Sequence, residues 1–394
     1  MTPRANRWQL PDGVDEVLPP RAQQLETLSR DILECYSRYG YELIKTPLIE
    51  FLDSLHIVPS QELQLSTFTL VDQLSGRMMG VRSDITSQVA RIDAHVLQRE
   101  QPVRLCYSDS VLRTRPQGQL GSRSPRLIGA ELYGHTGVES DLEVITLMLH
   151  TLQIAGIEQP LLALGHSSIC RAVLQSSKLP ATAVSELFDA LQNKASADID
   201  RLLGQYAMPA NCAESLRLLP TLHGDASILA KAKALLGNAG KEVSAALAQL
   251  EALVAAIAQR FPSQAVYLDL CELRGYDYHT GIIFSAYVEG CGEAIANGGR
   301  YDGIGAAFGR ARAATGFDSD LLRLLNFSKR VFKQNDLILA PASDDPALRQ
   351  CIDQLRGQGL RVVQMLPGQS GSAADMQCNK QLIHTGKGWE LAAV

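Results

Sequence analysis

The chain has 394 residues, 46% of them hydrophobic and 20% charged, and its formal net charge is −5. This length exceeds what one ordinary core needs, so we expect two or three packed units, and the composition excludes an intrinsically disordered chain. A negative net charge gives no overall attraction to a phosphate backbone. It therefore disfavours nucleic-acid binding, although a local basic patch could still exist.

The cysteines and the N-terminus indicate the compartment. The eight cysteines are scattered, with no CxxC pair and no His cluster at metal-ligand spacing, so we interpret them as reduced thiols and predict neither a metal nor a cofactor. The N-terminal "MTPRANRWQLPDG" has no apolar h-region, and no continuous apolar stretch has the length that a bilayer requires. We therefore expect a cytoplasmic protein that does not contact a membrane.

The first predicted elements are a helix and an interrupted strand. Apolar residues recur at steps of three and four before a helix stop at Gly40, namely at Leu25, Leu28, Ile32, Tyr36 and Tyr39. The run "YELIKTPLIEF" then has β character, and Pro47 within it suits an edge or interface strand better than a central one. We interpret the helix and the edge strand together as a plausible dimerisation element.

Two further helices flank a pair of predicted strands. The second helix has an apolar face, at Ile85, Val89, Ile92 and Val96. The third covers residues 140–155 and begins with Ser140 and Glu143 in capping-box spacing. Between these helices, the alternating segments "RLCYSDSVLR" and "RLIGAELYG" predict two strands around a long loop rich in Arg, Gly, Ser and Pro.

The rest of the chain predicts a helical insertion and a small C-terminal unit. Residues 170–262 are rich in Ala and Leu and predict an inserted helical module. Strands return at "AVYLDL" and "GEAIANGGRYDGI", and a helix-like "SDLLRLLNFSKRVF" closes a large domain over residues 1–330. Residues 331–394 follow a strand, helix, strand pattern and predict a separate, reduced α/β unit.

Three arginines are candidates for contact with an anion: Arg113 at a strand end, Arg274 in a loop and Arg323 in "DLLRLL". Arginine suits carboxylate or phosphate because its planar guanidinium makes bidentate contacts. Taken singly, each arginine is better explained by a structural or surface salt bridge. The alternating spacing of Glu131 and Tyr133 in a strand could point both into a cavity, but a lone strand glutamate more often faces solvent.

The segment "LRGYDYHTGIIFSAYV", residues 273–288, combines a turn-rich loop with an alternating strand. Its Tyr278 and His279 could form an acid and base pair, although a lone histidine in a turn more often serves as hydrogen-bonded scaffold. The paired glycines of "NGGRYDGI" suit a tight structural turn or a close backbone approach. Residue types alone therefore indicate an anion-binding or amino-acid-binding site on an antiparallel sheet.

Taken in order, these segments resemble histidyl-tRNA synthetase over roughly the first 330 residues. "PDGVDEVLP" and "GYELIKTPLIE" look like its N-terminal and first class II motifs, and "VLRTRP" with "LIGAELYG" like the second. "LRGYDYHTG" is similar to its histidine loop, and "NGGRYDGI" with "TGFDSDLLRLL" to the third motif. The resemblance implies an α+β fold, with a class II aminoacyl-tRNA synthetase-like antiparallel sheet flanked by helices in a protein that is normally dimeric.

The departures from the synthetase pattern affect ATP and its magnesium. The acid expected two residues after Arg113 is Arg115, and the glutamate expected before Arg323 is Leu322. Asp318 and Asp320 would add negative charge where the triphosphate should lie, which is unfavourable in a partly desolvated pocket. Adenylate formation depends on positioned phosphates and metal, so these changes predict a protein without catalytic residues. The C-terminal unit also looks too short for a complete anticodon-binding domain.

"LRTRPQG", "RSDITSQVARIDA" and "YDYHTG" resemble instead the synthetase paralogue that serves as regulatory subunit of the short-form ATP phosphoribosyltransferase. The resemblance implies a non-catalytic partner of the short catalytic subunit, assembled with it as a hetero-octamer, that activates it and confers feedback inhibition by histidine. It also implies a set of histidine-binding residues, namely Asp84, Arg113, Glu131, Arg274, Tyr278 and His279. His279 replaces a tyrosine, and Leu127 a glutamine, that are usual in the synthetase.

Two other hypotheses remain open. A divergent histidyl-tRNA synthetase that still activates histidine would explain why Arg113, Arg274 and Arg323 are all present. A stand-alone histidine-binding or RNA-binding module would need no phosphoribosyltransferase partner. The regulatory hypothesis is preferred because an amino-acid loop is retained beside a broken nucleotide site.

Overall fold

A large sheet flanked by helices forms the core of the first of two units. A computed structural model describes residues 8–57, 61–118, 121–273, 278–332, 336–386 and 388–394. The chain folds as two units, Met1–Arg330 and Val331–Val394.

Twelve strands of the described chain belong to the first unit. They are β1 (Glu42–Leu43), β2 (Ile49–Phe51), β3 (Phe68–Val71), β4 (Met78–Val81), β5 (Val103–Ser110), β6 (Arg126–Tyr133), β7 (Leu161–His166), β8 (His223–Gly224), β9 (Val266–Asp269), β10 (Ile282–Tyr287), β11 (Ala296–Arg300) and β12 (Ala314–Asp320). Nine of them form one sheet in the order β1-β5-β6-β12-β11-β10-β7-β9-β8, and β2, β4 and β3 form a separate small sheet.

Thirteen α-helices within the same described ranges surround these sheets. They are α1 (Arg21–Arg38), α2 (Leu52–Leu55), α3 (Gln61–Ser66), α4 (Thr86–Arg91), α5 (Val138–Ile154), α6 (Ser167–Ser176), α7 (Ala181–Gln192), α8 (Ser196–Gln205), α9 (Ala210–Leu218), α10 (Ile228–Leu236), α11 (Lys241–Arg260), α12 (Ile304–Ala307) and α13 (Leu321–Phe327). A π-helical turn, Ile92–Leu97, continues α4, and a 3-10 turn, Leu219–Thr221, follows α9.

The six central strands, from β5 to β7 in the sheet order, pair antiparallel throughout. The first of these pairs is the one predicted between "RLCYSDSVLR" and "RLIGAELYG". Pro47 separates β1 from β2, and β1 lies at one edge of the large sheet, where it pairs with β5 in parallel. The predicted interruption at this proline is therefore confirmed, because a residue without an N–H cannot continue the ladder.

Helix α1 follows the predicted pattern. Its side chains at the predicted apolar spacing, Leu25, Leu28, Ile32 and Tyr36, are buried. The helix ends as expected, since Gly40 has a φ of +80° and the carbonyl of Tyr36 accepts the N–H of Tyr41 at 3.1 Å. Tyr39 lies just beyond the helix, where its hydroxyl is 2.9 Å from Nδ1 of His150.

Helix α5 begins two residues before the predicted position, and the predicted capping box is wrong. Gly137 is the N-cap residue. Ser140 lies inside the first turn, and its hydroxyl donates to the carbonyl of Gly137 at 2.7 Å. Glu143 instead receives two hydrogen bonds from Arg104, at 2.7 and 2.8 Å. The capping spacing failed because a neighbouring strand supplies a stronger partner than the helix backbone does.

One face of the large sheet carries small side chains near its middle. Gly299 on β11 lies opposite Gly316 on β12. On its other side, Gly316 lies opposite Glu131 on β6. Helix α4 covers one side of this face. There Ile85 and Val89 pack with strand residues in one apolar core. A cluster of polar residues, Asp84, Arg113, Glu131, Tyr278 and Asp318, lies beside this packed core, and we call the place where they meet the recess.

Helices α6 to α11 form the predicted insertion between β7 and β9, beginning at Ser167. By length and composition, Lys241–Arg260 is the one helix among the described residues that is long and apolar enough to cross a membrane. This differs from the expectation that no stretch has that length. Its face bearing Val243, Leu250 and Ile257 is buried inside the first unit, as is usual for a core helix.

The second unit is a four-stranded sheet with one helix. Its elements are β13 (Leu337–Ala340), α14 (Pro346–Gly357), β14 (Arg361–Gln364), β15 (Lys380–Thr385) and β16 (Gly388–Ala393), with strand order β14-β13-β15-β16. The strand, helix, strand start agrees with the sequence pattern. The hairpin of β15 and β16 did not emerge from the sequence, because its exposed residues lack a clear alternation.

Candidate functional site

Glu131 on β6 is the most enclosed acid of the recess, with 1% of its surface exposed. It fits because the residue opposite it on β12 is a glycine. A Cβ atom at Gly316 would lie 1.5 Å from Oε2 of Glu131. The general expectation of a solvent-facing strand glutamate is therefore wrong here, and the alternative, a side chain that points inward, is correct.

Two tyrosines hold the Glu131 carboxylate. The hydroxyl of Tyr107 on β5 donates to Oε1 at 3.2 Å, and the hydroxyl of Tyr301 donates to Oε2. Burial raises the pKa of Glu131 to about 8; the hydrogen bond from Tyr301 opposes this shift, and the charge of Asp84 adds to it. Near neutral pH, the protonated acid is therefore favoured.

Tyr278 closes the recess from the loop side. Its ring lies 5.0 Å from the ring of Tyr301, at an angle of 31°. Its hydroxyl oxygen is buried and has no hydrogen-bond partner of ordinary geometry within the described chain. Burial is the largest cause that raises the pKa of the Tyr278 phenol. The charges of Asp84 and Glu131 raise this pKa further. An unmatched buried hydroxyl is unfavourable unless a ligand completes it.

Asp84 lies just before α4, where the chain enters the helix. Burial raises the pKa of its carboxyl, whereas the backbone N–H groups of Ile85 and Thr86 and the charge of Arg113 lower it. Arg113 lies across the recess, and its Nε donates to the carbonyl of Ser83 at 3.1 Å. The structure therefore brings Asp84, Arg113, Glu131 and Tyr278 together.

Asp318 and Asp320 on β12 extend the acidic side of the recess. Burial raises the pKa of Asp318 to about 7, and the charge of Asp84 raises it further, whereas Arg113 opposes the shift. Asp320 caps α13, and its carboxylate accepts the N–H of Leu322 at 3.0 Å. The two carboxyls therefore lie on one strand beside the recess, as the sequence indicated, and burial raises the pKa of both.

His279 sits at the edge of the recess. Its ring contacts Tyr278 edge-on at 5.4 Å, and its carbonyl accepts a hydrogen bond from Arg171 at 2.8 Å. Its imidazole lies against β11, because a Cβ atom at Gly299 would be 2.5 Å from its Cδ2. Arg274, the remaining predicted residue, falls outside the residues that the structure describes.

Arg323 is held by the protein itself. Its guanidinium forms a salt bridge with Glu293 at 3.0 Å and donates to the carbonyl of Ala294 at 3.0 Å. Glu293 also lies against the loop after β5, since a Cβ atom at Gly118 would be 2.1 Å from its Oε1. The general expectation of a structural salt bridge for Arg323 is therefore correct.

Several residues of the site were missed from the sequence. Tyr107 lies in a strand that was predicted only from its alternation. Tyr301 belongs to "GGRYDG", whose glycines drew attention as a turn, and Gly316 precedes Phe317 in the third motif. Each acts through a partner on another strand, so the only signal in the sequence was a polar or small residue within a buried strand.

The raised pKa of Glu131 predicts a pH dependence of stability. The folded state keeps this proton at pH values where the unfolded state, with a pKa near 4.5, has lost it. Stability from this group is therefore complete below about pH 4.5 and is lost as pH rises through about 8, a change on the order of a few kcal/mol. Glu131→Gln cannot ionise, so its free energy of unfolding should fall less steeply over this range.

Denaturant unfolding of the ligand-free chain at pH 5, 6, 7 and 8 measures this slope. Glu289→Gln is the matched control, because Glu289 is exposed and should leave the slope as in the unmodified chain. Parallel pH profiles for the Glu131→Gln variant and the unmodified chain would show that Glu131 is ionised throughout.

Comparison with known proteins identifies the fold. The histidyl-tRNA synthetase family model matches residues 13–324. A histidyl-tRNA synthetase from Nostoc sp. PCC 7120 superposes with a TM-score of 0.79 at 18% identity, covering 98% of this chain and 97% of that one. The predicted fold class is confirmed: the protein has a class II aminoacyl-tRNA synthetase-like fold, α+β, with a large sheet and a small C-terminal sheet.

Further comparisons identify a family that is more specific than the fold. Residues 335–392 match the family described as ATP phosphoribosyltransferase subunit HisZ C-terminal domain. The ATP phosphoribosyltransferase regulatory subunit of Thioalkalivibrio sulfidiphilus is 48% identical over 97% of both chains, and that of Alkalilimnicola ehrlichii is 48% identical over 98% of this chain and 96% of its own.

A solved structure from Bacillus halodurans, described as an ATP phosphoribosyltransferase regulatory subunit/histidyl-tRNA synthetase, has a TM-score of 0.83 at 26% identity and covers 94% of this chain and 96% of that one. The chain belongs to the family of ATP phosphoribosyltransferase regulatory subunits, in histidine biosynthesis. Its role is regulatory, and the predicted non-catalytic function is confirmed.

Proposed function

We propose that this chain senses histidine in the recess around Glu131 and transmits its occupancy to the catalytic subunit of ATP phosphoribosyltransferase. The catalytic subunit requires the chain for activity and is inhibited through it when histidine is bound. Asp84, Arg113, Glu131, Tyr278 and His279, together with Arg274, bind the amino acid. The observation that carries this proposal is the group of buried acids Asp84, Glu131 and Asp318 beside the Tyr278 hydroxyl, which suits a small ligand with several N–H groups.

The electrostatics of the recess support an amino acid over a nucleotide. A triphosphate would meet Asp318 and Asp320, and Arg323 is already paired with Glu293. Repulsion between like charges is strong where water is partly excluded, so phosphate groups are disfavoured there. A ligand with a cationic amino group would instead be attracted by these acids.

Control of a partner requires that histidine bind two states of the complex with different affinity. The recess is suited to this because Asp84 precedes α4, whereas Glu131 on β6 is held by Tyr107 on β5 and by Tyr301 just after β11. Any shift of α4 against the sheet would separate these two acids. A ligand that binds both would stabilise one arrangement and thereby bias the partner.

Assembly belongs to the same proposal. The small sheet and the adjacent β1 expose large apolar side chains, at Leu43, Leu48, Ile49, Leu70, Val71 and Met78. Such surface supports self-association as a dimer and packing within a hetero-octamer with the short catalytic subunit. All eight cysteines are free thiols, which supports a cytoplasmic location.

The decisive experiment measures phosphoribosyl-ATP formation by the short catalytic subunit, with and without this chain, across a histidine titration. We expect the chain to raise the rate and histidine to suppress that increase. Glu131→Ala should shift the inhibitory concentration upward at least about tenfold, since it removes a buried contact to the ligand. An exposed control, Glu289→Ala, should leave the inhibition curve in place.

A divergent histidyl-tRNA synthetase is the alternative, favoured by the presence of Arg113 and Arg323. Histidine-dependent exchange between ATP and pyrophosphate separates the two. Robust exchange, without any effect on the phosphoribosyltransferase rate, would replace the regulatory proposal by this one. A salt-dependent gel shift with transfer RNA would test the RNA-binding hypothesis.

A further inference from the structure

The end of the histidine loop is held by the start of the helical insertion. In the pairing of β7 with β10, Ile282 lies opposite His166. The chain leaves β7 after His166 and turns into α6, so the ladder continues for only one further residue. There the backbone N–H of Ser167 donates to the carbonyl of Gly281 at 2.9 Å. Beyond this point the backbone of α6 points along its own axis, and the carbonyls of the loop need other donors.

Two side chains of α6 supply those donors. The hydroxyl of Ser168 donates to the carbonyl of Thr280 at 3.1 Å, and the guanidinium of Arg171 donates to the carbonyl of His279 at 2.8 Å. Three successive carbonyls of the loop are therefore bound by the start of α6. They follow directly on Tyr278, whose ring closes the recess. A change of the backbone at Tyr278 or His279 must therefore alter the bonds to α6.

The chain that leads into the same loop is also bound by the insertion. The Asp269 carboxylate at the end of β9 lies 2.6 Å from Nζ of Lys194, which lies between α7 and α8. The backbone N–H of Leu270 donates to the carbonyl of Leu222, just before β8, at 3.1 Å. Lys194 and Leu222 both belong to the insertion. It therefore binds the chain on both sides of the histidine loop.

A buried histidine connects the start of α6 to α11. His166 has 4% of its surface exposed. Its Nδ1 accepts the N–H of Ser168 at 3.3 Å, and its Nε2 lies 2.8 Å from Oε1 of Gln249 on α11. Burial lowers the pKa of this imidazole, and its neutral form has the one acceptor and the one donor nitrogen that these two partners require. A displacement of α6 at the loop is therefore passed on to α11.

We propose that Ser168 and Arg171 are positioning residues of the histidine sensor, and that the helical insertion carries the signal of ligand binding away from the recess. The proposal rests on the proposed histidine sensing and deepens it, because it assigns the route by which occupancy leaves the site. A ligand that binds Tyr278 and His279 fixes the backbone whose carbonyls α6 holds. The ligand then stabilises one arrangement of the insertion, and by linkage that arrangement favours the bound ligand.

Calorimetry with L-histidine on the full chain tests the two positioning residues. Arg171→Met removes the donor but keeps an aliphatic side chain, and Ser168→Ala removes the hydroxyl. We expect the affinity to fall at least about fivefold in the first variant and about threefold in the second. Ser168→Thr keeps the hydroxyl and should bind within about twofold of the unmodified chain.

Arg217→Met is the matched control for the loss of charge. Arg217 lies on α9 of the same insertion, in an exposed salt bridge with Asp200, so its replacement should leave the affinity unchanged. Thermal melts of the ligand-free variants should lie within about 4 °C of the unmodified chain, since each loses about one hydrogen bond. A larger fall would assign the loss of affinity to the fold as a whole and overturn the positioning role.

Hydrogen exchange measures the transmission itself, which a merely structural role would not affect. In the unmodified chain, saturating L-histidine should slow amide exchange at least about threefold in peptides from α6 and α11. In Arg171→Met, brought to the same fractional saturation with more ligand, the slowing in α11 should be lost. Peptides that contain Asp84 should stay slowed in both proteins, because Asp84 still contacts the ligand.

The outcomes separate this inference from the proposed function. If the unmodified chain binds L-histidine and exchange slows around Asp84 but not in α6 and α11, the sensor stands and the insertion is refuted as its route. Unchanged affinity in both Arg171→Met and Ser168→Ala would refute the positioning role, and so would an equal loss in Ser168→Thr and Ser168→Ala. If the unmodified chain binds no L-histidine, the proposed function itself fails and this inference fails with it.

Discussion

Gly316→Ala is expected to lower the free energy of unfolding by about 3 kcal/mol or more and to abolish histidine binding. The new Cβ atom would lie 1.5 Å from Oε2 of Glu131 and 2.9 Å from the carbonyl oxygen of Ala130. Neither neighbour can yield easily, since one belongs to the β6 backbone and the other is buried and held by Tyr301. Denaturant unfolding and calorimetry with histidine measure the two losses.

A double variant makes this prediction sharper. Gly316→Ala combined with Glu131→Ala removes the side chain that the methyl group would strike, so the double variant should be more stable than Gly316→Ala alone. Gly303→Ala is the control, because no atom lies within 4 Å of the Cβ position there. Additive losses from the two changes would show that Gly316 matters for its backbone and not for the space it leaves to Glu131.

Arg300→Met is expected to destabilise the protein by about 3 to 5 kcal/mol, because it leaves a buried acid without its partner. Arg300 has 6% of its surface exposed, and its guanidinium lies 3.0 Å from the carboxylate of Asp141. It also donates to the carbonyls of His135 and Gly137, at 3.1 and 3.2 Å. Burial already raises the pKa of Asp141, and loss of the guanidinium would raise it further.

The same change should loosen the histidine loop. The Arg300 side chain packs against Gly281 at the end of this loop, so a methionine without the guanidinium anchor would shift its packing there. Histidine affinity should therefore fall together with stability. Arg201→Met is the control, since the Arg201 salt bridge to Asp198 is exposed and should contribute less than about 0.5 kcal/mol. A loss of comparable size in both variants would mean that burial of the Arg300 pair adds nothing.

Local sequence pattern was sufficient where one element buries one face. Helix α1 could be predicted because its buried residues recur at steps of three and four and a glycine ends it. The start of α5 could not, because Ser140 and Glu143 have the spacing of a cap but bind Arg300 and Arg104, which are distant in sequence. The strand β10 was expected to alternate, yet Ile282 to Ala286 are all buried because both faces of the sheet are covered there.

The candidate site, too, could be predicted from the sequence only in part. The resemblance placed Asp84, Glu131 and Tyr278 together, and the structure brings these residues into one recess. Burial of Glu131 depends on the absence of a side chain at Gly316, which becomes visible only when the register of β6 and β12 is known. Likewise, the partner of Arg323 could not be inferred, because Glu293 lies in a loop with no periodic pattern.

The salt bridge between Glu293 and Arg323 also bears on how the family's role could change. A chain that recovered glutamate in place of Leu322 would still present a neutralised arginine and the two acids of β12 to any phosphate. Removal of Glu293 alone would free the guanidinium but leave the Asp320 carboxyl beside it. No single one of these substitutions would therefore restore a nucleotide site. A chain that carries only one of them would not gain synthetase activity. The salt bridge thus makes the regulatory role hard to reverse by stepwise mutation.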